Sequence, residues 1–139
     1  MNYFHIALAG LGATVVYFAI GLLLFALLPL ADEVRQYAAV YRAPESMKRV
    51  APVGMLALLL SMLALAVIYA LAFHDGSFVI QGLRFGLLVG VLAAGSFLLH
   101  NYVSLNIGLR LALLQTLACF VQWVCAGFVI ALIYRPTIL

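Results

Sequence analysis

Charge is what this chain has least of. Seven Lys or Arg and four Asp or Glu make up 8% of 139 residues, while 68% are hydrophobic. A soluble domain carries about 25% charged residues, and a chain this short has too little interior to hide so much apolar surface from water. Intrinsic disorder is excluded by the same poverty, because it needs low hydrophobicity and high charge. What remains is an integral membrane protein.

Other chemistry-bearing residues are also few. The two cysteines, Cys119 and Cys125, are six residues apart, so on a helix they point about 120° from each other. They suit neither a mutual disulfide nor a metal-ligand spacing, and no metal site or catalytic residue is expected. Gly10-Leu11-Gly12 is a bare GxG inside an apolar run and lacks the strand context of a phosphate loop. The histidines are His5, His74 and His100. Paired histidines on facing helices can hold b-type haem, but His5 and His74 match only in depth and stand at helix ends, so no cofactor is expected.

The apolar residues collect into four runs, at about residues 3–30, 50–73, 78–99 and 111–134. Each reaches the roughly 20 residues needed to cross the hydrocarbon core. They are rich in Leu, Ala and Val and do not alternate with polar residues, which excludes a β-barrel. The expected fold is all-α, an antiparallel four-helix transmembrane bundle forming one domain over residues 1–139. No Lys or Arg precedes Arg35, so a cleaved signal peptide is not expected.

Seven of the eleven charges lie in the 31–49 loop, which holds Arg35, Arg42, Lys48 and Arg49. With Arg110 these outnumber Arg84 and Arg135 on the opposite side. Basic residues stay on the cytoplasmic side, so this loop is expected inside and both termini outside. The pI of about 9.1 then describes a basic membrane edge, with no nucleic-acid partner. Within the loop Asp32 is expected to cap a short helix presenting Val34, Tyr37 and Tyr41 on one face, and Pro44 to start the next helix.

Gly82, Gly86, Gly90 and Ala94 recur at strict four-residue spacing. In lipid, small residues on one helix face let another backbone approach closely. The stripe reads as an intramolecular contact or as a seam between two copies. Gln115, Cys119, Gln122 and Ala126 share a face of the fourth span, and amides facing lipid are costly. The two glutamines are therefore expected to point into the bundle, with Gly10, Thr14 and Tyr17 of the first span as counterparts. Arg84 is the one charge within a span. An intramembrane charge marks a candidate functional position, although Arg can snorkel that far with Asp75 as counter-ion.

No Asp or Glu lies in any span. The carboxylate with which small four-helix multidrug exporters couple protons to substrate is therefore missing. Polar residues gather instead on the inner side. Arg42, Glu45 and Arg49 come from one loop, and His100, Asn101, Tyr102 and Asn106 from the other. They are candidates for holding an anionic lipid head group or small ligand.

The pattern Tyr41-Arg42, Glu45-Ser46, Lys48, Pro52, then Arg84-Phe85-Gly86, His100-Asn101-Tyr102, Leu105-Asn106-Ile107-Gly108 and Ile133-Tyr134-Arg135-Pro136 resembles small bacterial four-span inner-membrane proteins of unknown function. That resemblance implies a bacterial inner membrane and no particular activity. Val40-Tyr41-Arg42-Ala43 and Pro52 also resemble the frame of the glutathione-linked and eicosanoid-metabolising four-span enzymes. Ser46 and Arg49 stand where that family has its Asn and Glu, which removes its defining site. The leading expectation is a non-enzymatic accessory subunit or small transport-related component, working as a homo-oligomer or with a partner membrane protein. The alternatives are an enzyme acting on a lipid or glutathione-type conjugate, and a haem-binding electron-transfer subunit.

Overall fold

Long apolar runs without water to bond their backbones must satisfy every N–H and C=O internally, which a helix does. A computed structural model describes residues 2–72 and 77–134, and its regular structure there is helical. Five helices follow in order: α1 (Tyr3–Leu27), α2 (Leu30–Gln36), α3 (Pro44–Ala72), α4 (Phe78–Ser104) and α5 (Leu109–Ile133). All but α2 are long and apolar enough to cross a membrane.

Local chemistry sets the boundaries. At the start of α1, Asn2 Oδ1 accepts the His5 backbone N–H at 3.3 Å. The helix stops at Leu27, three residues short of expectation, because Pro29 disfavours helical geometry in the residue before it. Pro29 also precedes α2 directly, so Asp32 is not the cap. It lies in the first turn, where the helix dipole favours an acid, and bonds Arg35 at 3.4 Å. Since α2 ends at Gln36, Val34, Tyr37 and Tyr41 do not share a helical face. The three still converge, packing on one apolar cluster with Leu30, Ile107 and Leu111.

Helix α3 begins at Pro44 and carries Pro52 inside it. Helix α4 runs to Ser104, so His100, Asn101 and Tyr102 belong to its last turns. The expected polar connection from His100 is thereby cut to four residues.

Helix α5 contacts each of the other four. The glycine stripe of α4 lies against it. A Cβ at Gly86 would sit 2.5 Å from the Val124 carbonyl oxygen, and one at Gly127 would sit 2.6 Å from Gly86 Cα. A Cβ at Gly82 would meet Ala131, and one at Gly90 would meet Val124 and Phe120. The stripe is thus filled by α5 of the same chain, and a seam between copies at this face is corrected. On the other flank of α5, Gly12 lies against Ile133 and Gly21 against Gln122. Helix α3 meets α1 where Gly10 abuts Leu63.

At one end of the helices Tyr69 is fully buried with Met62 and Ile130. Its ring stacks edge-on against Phe85 at 5.1 Å and Tyr134 at 6.4 Å. At the other end α3 leaves its neighbours. Residues 47–57, three full turns, are exposed on every side.

Candidate functional site

Two amides on one face of α5 define the polar interior. Gln122 donates its Nε2 hydrogen to the Tyr17 carbonyl oxygen at 3.2 Å. Only a glycine at position 21 leaves space for that amide against α1. One residue on, Trp123 stacks edge-on against the Tyr17 ring at 5.4 Å. Gln115 donates from Nε2 to the Tyr41 hydroxyl at 2.9 Å, bridging 74 residues of sequence. Its Oε1 is buried and has no hydrogen-bond partner among the described residues.

Between these amides lies a cavity of about 230 Å³. Tyr17, Gly21 and Phe25 of α1 form one wall, and Gln115, Ala118, Cys119 and Gln122 of α5 form another. Phe97 of α4 completes the sides, while Leu30 and Val34 of α2 close one end. No Lys, Arg, His, Asp or Glu lines it. The Cys119 thiol and the Tyr17 phenol are the ionisable groups in the lining, and without an adjacent base or cation neither is activated as a nucleophile. The arrangement can bind a molecule, with amide, phenol and thiol groups as its polar surface.

Helix α2 is held over this cavity by a latch that pattern reading did not find. Glu33 is buried, and its Oε1 lies 3.1 Å from Arg110 Nε at the start of α5. Beside it Tyr37 rests on Gly108, where a side chain would collide with the phenol oxygen. With Tyr41–Gln115, three contacts therefore tie the α1–α3 connection to α5. An acid and a base 77 residues apart carry no periodic signal. The only hint in the sequence was that both loops emerge on the same side.

The inner polar candidates do not form this site. Arg42, Glu45, Arg49, His100, Tyr102 and Asn106 are exposed, and Asn101 is half-buried. Glu45 bonds its own helix neighbour Lys48 at 3.3 Å. Ser46 is half-buried on the first turn of α3. Arg84 is exposed on α4, and its expected counter-ion Asp75 lies outside the described residues. Gln81, one turn earlier, accepts from the Tyr69 hydroxyl at 3.5 Å. His5 is exposed, while His74 and Arg135 fall outside the described residues. Thr14 turns back on its own helix, donating to the Gly10 carbonyl at 2.8 Å. Among the described residues no three His, Cys, Asp or Glu side chains come together as a metal site would require.

No family model, curated protein or solved structure matches the chain. The likeness to small bacterial four-span proteins therefore stands on the short motifs named above.

Proposed function

We propose that the chain is an antiparallel four-span membrane protein that works by assembly, as an accessory subunit or small transport-related component. The observation that carries this reading is the inner half of α3. Every residue from 47 to 57 is exposed, a Cβ at Gly54 would have nothing within 4 Å, and Ala51, Gly54 and Met55 face Tyr17 and Phe18 of α1 only across an open groove. Gly54, Ala57 and Ser61 fall on one face of that exposed stretch. Small residues there suit close approach by another transmembrane helix. Lipid gains nothing from such a face, since acyl chains do not reward small residues over Leu.

The contact register between helices supports the antiparallel reading. Gly82, Gly86 and Gly90 meet residues progressively earlier in α5. The loop charges support an inner location for residues 31–49, with both termini outside in a bacterial inner membrane. The partner is a second copy or another membrane protein. The neutral lining of the cavity supports the non-enzymatic reading over an enzyme, because no base stands near Cys119.

Oxidative cross-linking in native membranes tests this. In a chain carrying Cys119→Ala and Cys125→Ala, Gly54→Cys should give a band of higher mass, a dimer or a hetero-adduct. Leu92→Cys, on the exposed face of α4, should not. Equal yields from the two positions would sink the proposal.

A further inference from the structure

Arg84 is the one Lys or Arg between Arg49 and Arg110, and it stands on the exposed side of α4. It follows Phe78, the first residue of the helix, by six positions, about 9 Å of rise. Helix α4 has 27 residues, about 40 Å of length, so it overruns a hydrocarbon core of roughly 30 Å. Side chains on a helix lean toward its N-terminus. Arg84 therefore reaches toward the start of α4, which carries its guanidinium to head-group depth. None of the ion pairs among the described residues includes it.

Gln81 brings a second donor to the same place. It lies three residues earlier, where side chains on one helix are neighbours. Its Oε1 accepts from the Tyr69 hydroxyl at 3.5 Å, and Tyr69 is fully buried. With the oxygen bonded inward, the Nε2 end is left for another acceptor, and that nitrogen is not among the enclosed unpartnered atoms. On the same outward side, deeper along α4, follow Leu88, Val91 and Leu92, all largely exposed. Donors near the start of the helix and an open apolar track beyond them match a phospholipid, its head at the surface and its chains inward. The guanidinium fork suits two phosphate oxygens at once. A head group with its own ammonium offsets part of that attraction, which favours an anionic lipid.

We infer that Gln81 and Arg84 hold the phosphodiester of an anionic phospholipid, across the membrane from the basic 31–49 loop. The inference rests on the four-span reading and is independent of the assembly proposed for α3.

The test uses the full chain in phosphatidylcholine nanodiscs doped with a phosphatidylglycerol that carries a photoactivatable group on its head. Label should concentrate on α4 between Ile80 and Leu88, a bilayer's width from any label drawn by the basic loop. Unlabelled phosphatidylglycerol should compete there, whereas diacylglycerol with the same chains, which lacks the phosphate, should not. Arg84→Gln should lower this label by about tenfold, the effect of one charged hydrogen bond. Arg84→Lys should lower it less, since the charge remains and the fork is lost. Both variants change only an exposed side chain, so the fold is kept. Asp75→Asn should leave the label in place. Label that appears on α4 only in the Asp75→Asn chain would overturn the inference, because Arg84 would then belong to Asp75. Equal competition by diacylglycerol, or label indifferent to Arg84→Gln, would do the same and leave the four-span reading standing. Absence of label from every helix would overturn both.

Discussion

The residues that matter are those that break the apolar monotony. Gly86 and Gly127 are paired across the α4–α5 contact, each occupying the space where the other would carry a Cβ. A larger residue at either position must push two backbones apart, and no flexible side chain is there to yield. Gly86→Leu should therefore cost on the order of 3 kcal/mol or more, read as loss of the folded fraction in a detergent unfolding titration. Gly95→Leu, at a position with nothing within 4 Å, serves as the control and should stay within about 0.5 kcal/mol of the parent. If both variants unfold alike, the stripe is not the contact described. The glycine spacing was legible in the sequence, but its partner was not. Four small residues at one helical period say that something packs closely, and periodicity carries no information about whether that surface belongs to the same chain. The glutamines were similar. Their shared face followed from spacing, and Tyr17 was foreseen as a counterpart, though it is the Tyr17 backbone carbonyl that accepts the bond.

At the scale of elements, α2 is the least predictable piece and the most consequential for the cavity. Seven residues are too few to hold a helix by propensity alone, so its position depends on Glu33, Tyr37 and Tyr41. The Glu33–Arg110 pair is lopsided. The carboxylate side chain is 9% exposed and the guanidinium 74%. Removing the cation strands a buried charge, whereas removing the charge frees an arginine that water already solvates. Arg110→Ala should thus destabilise by about 1–3 kcal/mol, and Glu33→Gln by less than about 1 kcal/mol. Thermal unfolding of the two variants and their double mutant checks the order, and equal losses would contradict the latch. Pro44 as the first residue of α3 was legible because its missing N–H suits a helix start. The end of α1 was misplaced because Pro29, which disfavours helical geometry in the residue before it, outweighed an apolar run that continued through Leu30. The exit of α4 was misplaced for a different reason. His100 and Asn101 read as loop residues because they are polar, yet they lie in the last turns of the helix, whose geometry a polar side chain does not prevent.

For the whole molecule, the placement of the apolar runs predicted four long apolar helices, and four helices long and apolar enough to cross a membrane are present among the described residues, as expected where a bilayer leaves the backbone almost no alternative. The assembly of those helices was far less legible. Helix α5 touches all the others, and its face toward α4 is marked by Gly127 and Ala131 while its face toward α1 carries Gln122. The polar residues expected to hold a head group, Arg42, Glu45, Arg49, His100, Tyr102 and Asn106, are exposed, with Asn101 half-buried. The molecule that results is closed around α5 and open along half of α3. Under the assembly proposed above, the turns of α3 over residues 47–57, each residue exposed, are where a partner helix packs. The most direct measurement of that claim is the intact mass of the untagged chain released from lipid nanodiscs. The account predicts a multiple of 15.0 kDa, or that mass plus a partner polypeptide, reverting to the single chain when Gly54 is changed to Leu. A single chain of 15.0 kDa as the sole species from the parent protein would contradict it.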